Sequence, residues 1–69
     1  MQKQYGDIDG WHVEVYPSED IALPWRAEAF DRLWAMHVGA EGFDKENALS
    51  ALAYKIGIER KRLLAVFLL

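Results

Sequence analysis

The chain has 69 residues, 52% of them hydrophobic, no cysteine and a formal net charge of −3. Without cysteine it forms neither a disulfide framework nor a Cys-based zinc site, and it is too apolar and too weakly charged for intrinsic disorder. A single domain of this size buries only about 60% of the surface its unfolded chain exposes, so tight helix packing, an oligomer or a partner is expected to add to its stability.

The N-terminal stretch MQKQYGDIDG carries no apolar segment of the signal-peptide kind. No apolar run reaches the roughly 18 residues that cross a bilayer. The expected location is cytoplasmic, with no membrane contact. YGDIDG, with two Gly and two Asp, reads as a turn. GWHVEVYP then alternates, with Trp11, Val13 and Val15 on one face and His12, Glu14 and Tyr16 on the other. Residues 11–16 are therefore expected to form a strand that Pro17 ends. Its backbone groups need partners. Either residues 1–5 fold back to make a hairpin over about 2–16, or the strand pairs with another chain.

PSEDIALPW is expected to lead into a helix over 24–38. Pro24 suits its first position, and Glu19, Asp20 and Glu28 lie near its positive end. Ala27, Phe30, Leu33, Trp34, His37 and Val38 share one helical face. Glu28 and Arg32 form an outward pair four residues apart, and Gly39 stops the helix. GAEGFD is a loop. Asp44 caps a second helix over about 45–56, with Phe43 and Ala48 as a staple. Its apolar stripe is Ala48, Leu49, Leu52, Ala53 and Ile56, and Gly57 with Ile58 closes it. A third helix follows over 59–69. The expected fold is a single α+β domain, with a short strand or hairpin packed on three helices.

Residues 50–67 resemble the helix-turn-helix family at the positions that set its geometry. These are the small Ala53 at the helix crossing, Gly57 in the turn, Ile56 and Ile58 beside it, Leu52 early, and Leu63 and Val66 late. The resemblance implies a DNA-reading helix after Gly57. Charge agrees in part: residues 1–53 hold four bases against ten acids, and residues 54–69 hold four bases against one acid. Lys55, Arg60, Lys61 and Arg62 are thus the nucleic-acid candidates. A recognition helix also needs polar side chains along its exposed length. LLAVFLL is apolar all round, which marks a core or interface helix. A plain helical hairpin meets the same packing needs.

The sequence offers little chemistry. His12 and His37 could meet near Asp7, Asp9 or Glu14, but no metal-ligand spacing joins them. DIDG opens like a calcium loop and lacks the remaining ligands. Ser18 and Ser50 sit in no nucleophile elbow. No catalytic residue, metal or cofactor is expected.

Aromatic residues are numerous for so small a core. Tyr16, Trp25 and Tyr54 fall off the predicted apolar stripes and suit interface anchoring. With Glu28, Asp31, Leu64, Phe67 and Leu68 they are the protein-interface candidates. Asp20, Glu28, Asp31, Glu41, Asp44 and Glu46 would give an acidic face able to dock on a basic channel. Leu63, Leu64, Val66, Phe67, Leu68 and Leu69 cannot all face inward in a small monomer, so a homodimer through the last helix or through strand 11–16 is expected, or else a last helix clamped between the strand face and the first helix. By size and chemistry the chain is similar to the small acidic inhibitors made by phages and mobile elements, anti-CRISPR proteins among them. The expected function is therefore non-enzymatic, as an inhibitor or modulator of a nucleic-acid-handling or regulatory protein. The alternative is a small dimeric DNA-binding regulator.

Overall fold

The computed structural model describes residues 3–31, 33 and 35–68. Four strands come first and two helices follow: β1 Gln4–Ile8, β2 Trp11–Pro17, β3 Trp25–Asp31, β4 Met36–Gly42, α1 Lys45–Ile56 and α2 Arg60–Leu68. The strands form one antiparallel sheet in the order β1-β2-β3-β4. Each strand pairs with the next, so only short connections are needed.

The turns explain the hairpins. Between β1 and β2 lie Asp9 and Gly10, with φ of 50° and 83°. Two positive φ values in an Asp-Gly pair are the signature of a type I′ turn, whose twist matches that of the strands it joins. The β2–β3 loop is held by its own polar groups. The Ser18 amide donates to the Pro24 carbonyl at 2.7 Å, and Asp20 accepts from the Ala22 amide at 2.9 Å. In the β3–β4 turn Asp31 accepts from the Leu33 amide at 3.0 Å.

The expected helix over 24–38 does not exist, and a short strand or hairpin with three helices is replaced by four strands with two helices. The segment is β3, a turn and β4. Ala27 and Ala29 favour a helix in isolation, and the apolar spacing of 27, 30, 33, 37 and 38 agrees with one. In the folded protein those residues part company. Ala27 is fully buried, Leu33 is 84% exposed, and Phe30 stands opposite His37 across the β3–β4 pairing. Tertiary demand overrides propensity here: β2 is an interior strand and needs a ladder on both sides. Pro24 precedes β3 rather than opening a helix, and Gly39 lies inside β4. The expected roles of Arg32 and Trp34 in that helix, and of residues 1, 2 and 69 at the termini, lie outside the described residues.

The register assigns the faces. Val13 and Val15 on β2, Ala27 and Ala29 on β3 and Ala40 on β4 point to one side and are buried. Both helices cover that side, α1 mainly over β3 and β4, α2 against α1 and β1. Three alanines make the floor shallow, so Leu49 and Leu52 of α1 and Leu63 of α2 reach it and become fully buried. Asp44 caps α1, accepting from the Asn47 amide at 2.7 Å. The Asn47 side-chain oxygen in turn accepts from the Phe43 amide at 3.0 Å, tying the residue before the cap to the first turn. Gly57 ends α1 with φ 75°, and the Ile58 amide bonds the Ala53 carbonyl at 3.0 Å.

Candidate protein interface

The helices leave the other side of the sheet uncovered. The register places its side chains in three rows across the strands. The first row is Tyr16, Arg26 and Glu41, with Lys3 reaching in beside Tyr16. The second is Tyr5, Glu14, Glu28 and Gly39. The third is Asp7, His12, Phe30 and His37. Alternation in β2 and β3 fixes which residues come here, because every second residue is committed to the core.

Rings run along this face from one edge strand to the other. Tyr5 stacks on His12 with centroids 5.8 Å apart. His12 lies 6.2 Å from Phe30, and Phe30 stacks on His37 at 4.7 Å with 13° between planes. Beside the rings lies a polar network. Glu28 accepts from the Tyr16 hydroxyl at 2.6 Å, meets His37 Nε2 at 3.0 Å and pairs with Arg26 Nε at 3.3 Å. Burial pushes the Glu28 carboxyl up, but the Tyr16, His37 and Arg26 hydrogen bonds outweigh it and hold the carboxyl below its ordinary value. Burial and the same bond to Glu28 push the Tyr16 phenol up.

Glu14 meets Lys3 Nζ and His12 Nε2, each at 3.2 Å. The other His12 nitrogen, Nδ1, lies 3.2 Å from Asp7. The ring can donate to both carboxylates only as an imidazolium. Lys3 also sits over the Tyr16 ring, 4.6 Å from its centroid. Its hydrogen bond to Glu14 raises the Lys3 pKa.

The sequence-derived candidates do not form one site. Tyr16 and Glu28 belong to this face and bond each other. Trp25 is half-buried against the core on the helix side. Asp31 ends β3, with its carboxylate accepting from the following turn. Tyr54 is 88% exposed on the far side of α1. Phe67 is buried, Leu64 packs beside the core and Leu68 is 45% exposed. The supposed acidic face is dispersed too. Asp20 and Asp44 cap local backbone, and Glu46 pairs with Arg60. Strand 11–16 offers no edge for a dimer, since β2 is paired on both sides. Nor is there a first helix for α2 to clamp.

The basic tip is largely engaged within the chain. Arg60 bonds Glu46 and Ser50 at 2.7 and 2.8 Å. Arg62 makes a two-pronged pair with Asp9 at 2.7 and 2.8 Å. Lys55 donates to the Gly39 carbonyl at 2.7 Å, and Lys61 is exposed. His12 and His37 do share a face, but Phe30 stands between them. Among the described residues no group of three or more His, Asp or Glu is placed to hold a metal ion, and no pocket opens.

Sequence reasoning missed Tyr5, Asp7, Phe30 and His37 as members of one surface. Alternation in WHVEVY gave half of it. The other half required reading WRAEAFD with period two, where Arg26, Glu28 and Phe30 alternate with Trp25, Ala27 and Ala29. None of the described helices is long and apolar enough to cross a membrane. Compared with protein-family models, with curated proteins and with solved structures, the chain matches none.

Proposed function

We propose that this protein is a non-enzymatic binder that works by occupying another protein. It is an inhibitor or modulator of a nucleic-acid-handling or regulatory protein, of the phage and mobile-element kind, acting in the cytoplasm. The observation that carries the reading is the uncovered sheet face, where stacked rings lie beside carboxylates. A lone antiparallel sheet can leave one face in water, but such a face then reads as plain polar residues. Rings that carry a polar edge are favoured where a surface must bind and still dissolve.

The alternative, a dimeric DNA-binding regulator using Arg60 and Arg62, is the weaker reading. A base-reading arginine must be free to reach the groove. Here both guanidinium groups are held by Glu46 and Asp9.

A photo-crosslinking residue placed at Tyr5, 61% exposed, tests the proposal against a second one placed at Lys61. In host extract, position 5 should give a discrete protein adduct and position 61 should not. Adducts from position 61 alone would overturn it. So would duplex DNA binding that falls steeply with salt and disappears in Arg60→Ala/Arg62→Ala.

A further inference from the structure

Glu14 and Glu28 stand directly opposite each other on the two central strands. Like charges in that position destabilise a strand pair. The sheet would be simpler with Thr or Lys at either place. A local rule broken at the centre of an open face marks a site shaped by something other than stability.

Resting on the reading that this face is the contact surface, we propose that it docks a basic, extended segment of the partner protein, with an arginine guanidinium seated over Glu14 and Glu28 beside the Phe30 ring.

Charge is the first argument. The three rows hold four carboxylates, Asp7, Glu14, Glu28 and Glu41, against Lys3 and Arg26. Lys3 and Arg26 pair with Glu14 and Glu28, and the face as a whole keeps a formal excess of two carboxylates. A phosphate backbone would be repelled there, which disfavours a single-stranded nucleic acid despite the rings.

Acceptor capacity is the second. A carboxylate offers about four lone-pair sites. Among the described residues Glu14 meets two partners and Glu28 three. Lone pairs therefore remain on both carboxylates, whose side chains keep 15% and 14% of their surface exposed. Guanidinium fits better than ammonium, because it bonds in parallel pairs and also stacks on rings.

The third is the chain's own behaviour. Lys3 already rests between the Glu14 carboxylate and the Tyr16 ring. Its side chain is 44% exposed while that of Glu14 is 15% exposed. Lys3 thus covers part of the acidic pair and competes with an incoming cation.

The test uses the full chain and three labelled probes of equal length: a peptide alternating Arg and Gly, the same peptide with Glu for Arg, and a single-stranded DNA. Fluorescence anisotropy should show saturable binding of the Arg peptide alone, weakening as salt rises. Glu28→Gln should weaken it about tenfold, as expected for loss of one charge-assisted contact. Far-UV circular dichroism must show that this variant keeps its fold. Lys3→Ala, at an exposed side chain, provides the check that does not depend on that. It should tighten the Arg peptide about threefold, the worth of a displaced cation–π contact.

Equal binding of the Glu peptide, tighter binding of the DNA, no binding of the Arg peptide, or an unchanged or weaker Lys3→Ala complex would each overturn the inference. An adduct from position 5 alongside any of these results would leave the contact surface standing and remove only the cation. Failure of both experiments would remove the two together.

Discussion

Gly42 and Gly39 sit three residues apart on β4 and face opposite ways, so the same substitution at each tests the architecture. A Cβ on Gly42 would meet the Asn47 side-chain oxygen at 2.7 Å and the Ala48 Cα at 2.8 Å, and would press on the Ala48 amide nitrogen. Part of that obstacle is backbone at the start of α1, which cannot swing aside. The helix must shift outward, loosening the Asp44–Asn47 cap and lifting Leu49 from the sheet. Overpacking of this kind costs about 1–3 kcal/mol, and losing a cap costs about 1 kcal/mol. The expected loss is therefore about 2–4 kcal/mol, against a total stability of about 3–10 kcal/mol for a chain of this length. Thermal melts should show a fall of about 8–32 °C, since each kcal/mol moves a small domain by about 4–8 °C. On Gly39 the atoms nearest the new Cβ all belong to the Arg26 guanidinium, whose carbon lies 3.0 Å away. That flexible end can move, and alanine reduces the freedom of the unfolded chain. Gly39→Ala should stay within about 1 kcal/mol of the parent. If Gly42→Ala melts within a few degrees of the parent, or Gly39→Ala falls as far, the placement of α1 on β4 is refuted.

Gly57→Ala should cost about 1 kcal/mol, because φ is 75° at that turn; an unchanged urea midpoint would deny the left-handed stop. Leu49→Ala should cost about 2–5 kcal/mol through the cavity it leaves. Ala29→Leu should cost about 1–3 kcal/mol by overfilling the shallow floor; denaturant titrations showing either to be neutral would count against this core. The Arg62 hydrogen bond lowers the Asp9 carboxyl below its ordinary 3.8. A depressed carboxyl stabilises the fold above its unfolded value and loses that contribution as pH falls through the folded one. Stability measured by urea between pH 6 and pH 2 should fall less steeply below about pH 4 in Asp9→Asn than in the parent; an identical acid slope would show that the pair contributes nothing. Tyr16→Phe removes one of the bonds that hold the Glu28 carboxyl down, so carbon NMR titration should find that carboxyl titrating higher. An unmoved midpoint would contradict the network.

Legibility in the sequence followed the range of the forces involved. The Asp44 cap, the Gly57 stop and the stripe of Leu49 and Leu52 were readable because their partners lie within one helix. A turn within YGDIDG was readable for the same reason, although Tyr5 to Ile8 belong to β1 and only Asp9 and Gly10 make the turn. The segment 24–38 was misread as a helix, and 39–44 as a loop, because two alanines and a chance 3.6-residue spacing outweighed the weaker period-two signal of WRAEAF. The candidate site suffered in turn. Trp25 was grouped with Tyr16 and Tyr54 on the basis of that helix, and the fold sends the three to different sides of the molecule.

By itself the sequence determined part of the local punctuation of this protein: where β2 alternates, where α1 is capped and stopped, and that the chain turns just before β2. Those choices depend on backbone conformations and hydrogen bonds a few residues apart. The tertiary structure decided which elements pair and what stays uncovered. Ala27 and Ala29 became strand residues because β2 required a second neighbour and α1 required a shallow floor. The face of Tyr5, Glu14, Glu28 and Phe30 exists only once four strands have been laid side by side. Period-two spacing picks out its members within each strand, but their meeting joins residues up to 25 positions apart through ladder hydrogen bonds that no single segment can form alone.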